Sequence, residues 1–227
     1  MSLTKLFHNV AWVGLVLFFP SCSNNAYEEG DSSLSYLRAD FVEATTDNQA
    51  RLASATTDDD VRLTFTQPMQ ASWKTVGDSL CRVLLYYKMY ANGIDSNVVE
   101  PLAAKMVYTL KPTEPSKQTL TTTDPVSLVS AWKSKNGGYV NICVGLKTGK
   151  TSDETQRQSI GLRLDSTVVR NGVTTYCMKF LHSQGGVPEY YTSDAYVSIP
   201  IKEMTTGSKV RLSLNTYNGW IVREFTR

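Results

Sequence analysis

Few residues in this chain have the types and spacing that catalysis or metal binding requires. Histidine occurs only at His8 and His182, and no two of the four cysteines form a C-x-x-C pair. A hydrolase triad would depend on His182, yet no G-x-S-x-G motif marks a nucleophile to go with it. Only one histidine lies beyond the amino terminus, and the cysteines are scattered along the sequence. These residues do not form a pattern of ligands for a transition metal. The sequence therefore predicts a non-catalytic protein with no metal and no other cofactor.

The acidic residues do not suggest chemistry either. Asp58-Asp59-Asp60 lies in a turn-rich stretch and Asp153-Glu154 in a polar loop, and no D-x-D-x-D-G calcium loop is present. We interpret these carboxylates as solvated turn charges, with calcium binding as the weaker alternative. Gly137-Gly138 and Gly185-Gly186 are read as turn glycines, because no helix that could bind a phosphate follows either pair.

Aromatic residues are the side chains with the best prospect of binding a ligand. Trp73, Trp132 and Trp220 could form a platform for a sugar ring. Packing within sheets explains them equally well, because tryptophan and tyrosine are favoured in strands. Both interpretations stay open at this point.

The amino terminus predicts export and lipid attachment. Lys5 is followed by a short apolar run and then by Ser21-Cys22, which is the order of a secretory signal. The apolar run is too short to cross a hydrocarbon core of about 30 Å as a helix. We predict a signal peptide over residues 1–21, acyl chains on Cys22, and a flexible polar tether over residues 22–34. The alternative is an ordinary signal peptide with an incidental cysteine.

The charge balance disfavours nucleic acid as a partner. One of the 23 basic residues lies in residues 1–21, which leaves 22 basic against 21 acidic residues. Binding to nucleic acid needs a clustered basic face, which this composition does not indicate. The three cysteines that follow Cys22 are Cys81, Cys143 and Cys177, and they permit at most one internal disulfide, for which 143–177 is the candidate.

Residues 35–227 show the alternation of β-strands separated by turns. About five short strands within residues 35–111 are on the scale of an OB-like small barrel. Two prolines at the start of residues 112–124 predict a linker. Six or seven further strands within residues 125–227 predict a β-sandwich, which makes the fold class all-β.

One hairpin is predicted near the carboxyl terminus. Asn218-Gly219 separates two alternating runs. An Asn-Gly pair favours a two-residue turn in which both residues have positive φ. His182 is placed at the end of a strand, where we interpret it as a loop-anchoring residue.

Several segments resemble a known family. They are His182-Ser-Gln-Gly-Gly-Val-Pro-Glu-Tyr-Tyr191, Ala195-Tyr-Val-Ser-Ile-Pro-Ile201, Leu80-Cys-Arg-Val-Leu-Leu-Tyr-Tyr87, Ala131-Trp132 and Gly138-Tyr-Val-Asn-Ile142. Together they resemble the NigD-like lipoproteins of Bacteroidota. The resemblance extends over most of the chain after the signal peptide and is most specific toward the carboxyl terminus.

The resemblance implies a lipid-anchored cell-envelope protein with an OB-like domain and a β-sandwich, without established catalytic residues. It suggests a binding or protective role of the bacteriocin-immunity type, in which the partner is a toxin or an envelope protein. The residues that match the motif, His182, Glu189, Tyr190 and Tyr191, are then candidates for a binding loop. The alternative function is a carbohydrate-binding accessory lipoprotein of the outer membrane, with a glycan as partner.

The side of the outer membrane stays open. Surface-exported lipoproteins of these bacteria usually carry acidic residues directly after the lipidated cysteine, whereas Glu28-Glu29 is displaced from Cys22. The predicted location is therefore the outer membrane, facing the periplasm or the cell surface. The oligomeric state is not predicted.

Overall fold

The computed structural model describes residues 36–89 and 97–227. The predicted signal peptide, the lipidation site Cys22 and the tether lie outside the described residues. Contacts group Tyr36–Arg227 into one unit, so its two halves can be described together. No helix among the described residues has the length and apolar character needed to span a membrane.

The described residues contain twelve strands and one short 3₁₀ turn, which confirms the all-β prediction. The strands are β1 (Leu37–Thr46), β2 (Leu52–Thr57), β3 (Arg62–Met69), β4 (Leu80–Met89), β5 (Val98–Thr109), β6 (Ser127–Lys133), β7 (Tyr139–Thr148), β8 (Ser159–Arg170), β9 (Val173–Ser183), β10 (Tyr191–Pro200), β11 (Lys209–Thr216) and β12 (Gly219–Thr226).

The first five strands pair in a closed ring. β1 pairs with β2 and β4, β2 pairs with β3, and β4 pairs with β5, all antiparallel. A short parallel pairing of β3 with β5, at Thr64–Val98 and Phe65–Val99, closes the ring. Ten buried residues of these strands, among them Leu52, Val83 and Leu85, form its core. The OB-like interpretation of this ring stays a prediction.

β5 belongs to two sets of strands. Its last residues, Val107–Thr109, pair in parallel with Tyr196–Ser198 of β10. β10 pairs with β7, and β7 pairs with β6, so the sheet order is β3-β2-β1-β4-β5-β10-β7-β6. The long strand β5 therefore joins the ring to the carboxyl-terminal half through continuous hydrogen bonding.

The carboxyl-terminal half is a sandwich, as the sequence predicted. A four-stranded sheet, β12-β11-β9-β8, supplies its second layer. Alternate residues of β7 and β11, such as Ile142, Val144, Leu212 and Leu214, are fully buried in one shared core. Alternation places the residues between them on the opposite faces of the sheets. Truncating one such Leu or Ile to Ala costs about 2–5 kcal/mol of stability, so this core contributes strongly to the fold.

The segment predicted as a linker, residues 112–124, is bonded to the sandwich. Thr113 bridges Arg163 of β8, and Thr123 bridges His182 of β9. The 3₁₀ turn Pro115–Lys117 lies between these two bridges. The domain boundaries drawn around this segment stay a prediction.

The two hairpins of the second sheet turn differently. Thr216 pairs with Gly219, so the loop of the β11–β12 hairpin is Tyr217-Asn218. Neither loop residue has positive φ, whereas Gly219, which follows them, has φ +99°. The hairpin is confirmed, but the prediction of positive φ at both positions of Asn218-Gly219 is wrong. Asn171 and Gly172, at φ +48° and +77°, form that type of turn between β8 and β9.

The disulfide considered between Cys143 and Cys177 is not formed, because both residues are free cysteines. Cys143 lies on β7 and Cys177 on β9, in different sheets. Their neighbours Ile142 and Met178 face the shared core, so both thiols point away from it and from each other.

Candidate functional site

The candidate binding loop follows β9, and a buried histidine lies at its start. His182 is only 1% exposed, and its Nδ1 lies 3.2 Å from the carbonyl oxygen of Asp124. Burial lowers the pKa of His182, with the contact to Asp124 opposing that shift in part. The imidazole is therefore neutral at neutral pH and donates its Nδ1 hydrogen to that carbonyl. His182 fixes the chain at the start of the loop and does not reach its surface.

The loop between β9 and β10 is held by glutamine side chains. Gln184 Nε2 donates to the carbonyl oxygens of Lys147 and Val187, each at 2.8 Å. Gln158 Nε2 donates to Gln184 Oε1 at 3.0 Å, and the backbone N–H of Gln184 donates to Asp124 Oδ2 at 2.7 Å. These bonds satisfy the side-chain amide of Gln184 and tie the start of the loop to Lys147, Gln158 and Asp124.

Gly185 is required by this arrangement. Its φ is +58°, and a Cβ at this position would lie 2.0 Å from the carbonyl oxygen of Arg157. Only glycine tolerates both the left-handed conformation and so close an approach of another backbone. The Gly-Gly pair was correctly placed in a turn by the sequence, but its contact with Arg157 could not be read from it.

The loop presents tyrosines to solvent. Tyr190 is 80% exposed and Tyr191 is 58% exposed. Glu189 pairs with Lys147 at 3.4 Å, and Lys147 Nζ lies 4.5 Å from the ring centroid of Tyr217, which is also exposed. We refer to these five residues as the tyrosine surface.

Tyr217 was missed by the sequence analysis. It occupies a turn position of the β11–β12 hairpin, where polar residues or glycine are usual. An aromatic residue in a tight turn was the signal that could have identified it. Burial raises the pKa of Tyr217, so its phenol is protonated at neutral pH and can donate a hydrogen bond.

The three tryptophans occupy different environments. Trp73 packs against the core of the ring, and Trp132 packs edge-on against Phe41 with ring centroids 5.1 Å apart. Trp220 is 53% exposed on β12, with Lys179 Nζ 5.3 Å from its ring centroid. Among the described residues no ring contact joins any two of these tryptophans. The structure therefore gives each tryptophan its own neighbours, and a platform shared by the three rings stays a prediction.

A second polar cluster, which we name the seam, lies where the ring meets the carboxyl-terminal half. Its centre is Arg82 of β4, which is buried and pairs with Asp58 at 2.7 Å. Arg82 Nε donates to Ser198 Oγ at 3.1 Å, and Ser198 Oγ donates to Asn141 Oδ1 at 2.6 Å. The guanidinium carbon lies 4.1 Å from the centroid of the Tyr139 ring.

The seam was also missed by the sequence analysis. Arg82 is the one charged residue within the otherwise apolar run Cys81–Tyr87, and this exception was the available signal. Its partners Asn141 and Ser198 follow it by 59 and 116 positions, so no local pattern connects them.

Cys81 and Cys143 are not activated as nucleophiles. Burial raises the pKa of the Cys143 thiol to about 11, with a further contribution from Asp194. Burial also raises the pKa of Cys81. Both thiols are therefore protonated at neutral pH, whereas the thiolate is the reactive form.

Comparison with known proteins defines the family. Residues 109–226, more than half of the chain, match the model of the NigD-like C-terminal beta sandwich domain. No curated protein matches the chain.

Solved structures share the fold. A NigD-like immunity protein from Bacteroides caccae is 21% identical, with 83% of this chain and 96% of that chain covered and a TM-score of 0.62. A protein from Parabacteroides distasonis described as toxin-related is 18% identical, with 84% and 93% covered and a TM-score of 0.60.

A third structure, from Bacteroides fragilis and described as a lipoprotein, is 10% identical, with 83% and 96% covered and a TM-score of 0.58. At these identities the three structures establish similarity of fold alone. The family match covers the sandwich and its adjoining segment, which includes the tyrosine surface. The chain belongs to the NigD-like family.

Proposed function

We propose that this protein is a lipid-anchored cell-envelope protein with an immunity-type role, which protects its cell by binding another protein through the tyrosine surface. The observation that carries the proposal is the solvent-exposed pair Tyr190 and Tyr191, where β10 begins after a loop whose backbone is held by Gln184 and Gly185.

Tyrosines on a rigid loop are well suited to protein recognition. Each ring offers a large contact area with few rotatable bonds, so little conformational entropy is lost on binding. Tyrosine is accordingly enriched among the residues that dominate the free energy of protein interfaces. A backbone that is already fixed further reduces the entropic cost of association.

The related structures support the protective role. One of them is described as an immunity protein and another as toxin-related. The partner that we propose is therefore a protein toxin or a protein of the cell envelope.

The proposed anchor is an acylated Cys22, supported by the sequence that precedes it and by a related structure described as a lipoprotein. Two or more acyl chains would hold the protein stably on a membrane. The proposed location is the outer membrane. In cell fractionation, Cys22→Ala should move the protein out of the membrane fraction, and protease treatment of intact cells should show whether the wild type faces outward.

The proposed function is tested by a protection assay. A strain that lacks the gene is complemented with wild type, Tyr190→Ala or Tyr191→Ala, and survival is measured in the presence of culture supernatants from competing Bacteroidota. We expect survival to fall at least tenfold for either variant at unchanged protein abundance, because each removes a proposed interface residue.

Tyr108→Ala is the matched control, because Tyr108 is also an exposed tyrosine but lies on β5, outside the tyrosine surface. It should protect as well as the wild type. Equal protection by all variants would exclude the tyrosine surface as the binding site. Absence of protection by the wild type against every supernatant would count against the immunity role itself.

A carbohydrate-binding role is the alternative, and the exposure of Trp220 is the observation that favours it. Glycan pull-down with Trp73, Trp132 and Trp220 replaced singly would test it. Loss of a glycan signal in Trp220→Ala alone would indicate a single-ring sugar contact on β12.

A further inference from the structure

The seam contains a cavity of about 290 Å³. Residues from both halves of the protein line it, among them Glu43, Asp58, Asp60, Arg82, Tyr139 and Lys202. Its volume is at the lower end of the range of small-molecule sites. No residue of the tyrosine surface lines it, so whatever occupies it is distinct from the proposed protein partner.

Most charges in the cavity already have partners. Asp58 pairs with Arg82, the Tyr139 hydroxyl donates to Glu43, and Asp60 Oδ1 accepts from Asn136 Nδ2 at 3.1 Å. A cation would have to compete with Arg82, and an anion would meet three carboxylates. A neutral ligand meets neither obstacle.

Two buried polar atoms at the seam lack partners. Arg82 Nη1, a donor, and Asp58 Oδ1, an acceptor, make no hydrogen bond with any described residue. Leaving such groups unpaired is costly, and native structures usually pair them. Both residues line the cavity, and a hydroxyl group, which donates and accepts, has the chemistry to pair with them.

The cavity is also lined by a tyrosine and a free cation. The guanidinium of Arg82 covers one face of the Tyr139 ring, 4.1 Å from the ring centroid. Lys202 is exposed at the rim and makes no ion pair with any described residue. Carboxylates, an arginine, a lysine and an amide together can bind several hydroxyl groups of one small ligand.

We infer that the seam cavity beside Arg82 binds a neutral, hydroxyl-rich ligand of the size of about one sugar ring, a monosaccharide or the end of a saccharide chain. The hydroxyls accept from Arg82 and Lys202 and donate to Asp58 and Asp60. This site is separate from any contact made by the tryptophans.

The test is titration of the purified, isotopically labelled full chain with glucose, galactose, mannose and N-acetylglucosamine, followed by NMR. The reporters are the backbone N–H groups of Asn136 and Gly138 and the Nε–H of Arg82. Asp60→Asn removes one proposed acceptor charge but keeps a residue that tolerates the φ of +61° at this position. Lys202→Ala removes one proposed donor.

Asp59→Asn is the matched control, because Asp59 neighbours Asp60 in the same turn but does not line the cavity. We expect at least one sugar to shift the reporters, with about tenfold weaker binding in Asp60→Asn and Lys202→Ala and unchanged binding in Asp59→Asn. An oligolysine peptide should leave the reporters unshifted.

The inference is overturned if no sugar shifts the reporters, since the cavity then holds water only. Equal binding by all variants would overturn it as well, because the sugar would then bind elsewhere. If oligolysine alone shifts the reporters, the ligand of the cavity is a basic protein segment and not a saccharide. These outcomes do not depend on the protection assay, so this inference and the proposed function can fail separately.

Discussion

The seam and the tyrosine surface use side chains in opposite ways. At the seam Arg82 is buried, and an ion pair, a hydrogen bond and an aromatic ring surround its guanidinium. At the tyrosine surface the backbone is fixed by hydrogen bonds, whereas Tyr190 and Tyr191 remain largely exposed. The seam joins two halves of one chain, and the tyrosine surface is available to a second molecule.

This difference indicates where mutations should affect stability and where they should affect binding. Removing one partner of a buried ion pair leaves an uncompensated charge in the interior. Removing an exposed ring leaves the fold nearly unchanged, because surface substitutions usually alter stability by less than about 0.5 kcal/mol. Three predictions test the comparison, in order of decreasing effect.

The largest effect is expected from Arg82→Ala. It leaves the partly buried Asp58 without its cation and should lower the free energy of unfolding by about 3 kcal/mol, the lower end of the range for a fully buried pair. Chemical denaturation followed by tryptophan fluorescence measures this change. Lys135→Ala is the control, because it breaks the exposed pair with Asp59 and should leave the unfolding midpoint unchanged. Equal effects of the two variants would show that the seam contributes no more than a surface pair.

A smaller effect is expected from Gly185→Ala, which acts on the backbone beneath the tyrosine surface. The new Cβ meets the carbonyl oxygen of Arg157, so the loop must move, at a cost of about 1–3 kcal/mol. Hydrogen exchange should accelerate at the amides of the loop between β9 and β10.

Gly185→Ala combines two effects, the strain of a side chain at positive φ and the contact with Arg157. Gly172→Ala separates them, because Gly172 also has positive φ but a Cβ added there would have no other atom within 4 Å. It should show the conformational cost alone and leave exchange in the β9–β10 loop unaltered. The same loop exchange in both variants would mean that the contact with Arg157 does not hold the tyrosine surface in place.

The smallest effect is expected in the pH dependence of stability, through the protonation of His182. Burial lowers the pKa of His182 in the folded state, so the unfolded state binds the proton first as pH falls. Stability from this group is fully present above the unfolded pKa of about 6.5 and is lost as pH falls from there toward the folded pKa. Urea midpoints of wild type should therefore decrease between about pH 7 and pH 5 more than those of His182→Gln. Parallel decreases would show that His182 does not contribute.

The sequence predicted the local structure well where a single strand contains the information. In β7 Val140, Ile142 and Val144 alternate along the sequence with their neighbours, and these three residues face the core of the sandwich. The alternation holds because successive side chains of a strand point to opposite faces. The segment from His182 to Tyr191 likewise indicated the family, because its glycines and tyrosines form one continuous motif.

The hairpin turns show the limit of such local patterns. The same Asn-Gly pair occurs at 171–172 and at 218–219, yet only the first occupies both turn positions with positive φ. In the second, the pairing of Thr216 with Gly219 shifts the turn by one residue and places Tyr217 in it. The register of two strands depends on all the side chains that pair across them, and a dipeptide does not contain that information.

The sequence by itself determined an all-β fold, the sandwich and the membership of a family, because these depend on short-range periodicity and a continuous motif. Only the tertiary structure decided that Arg82 meets Asn141 and Ser198, that Tyr217 joins Glu189 through Lys147, and that Trp132 packs on Phe41. Such contacts join residues from distant strands. They follow from which strands become neighbours and in what register, which is fixed only when the whole chain packs.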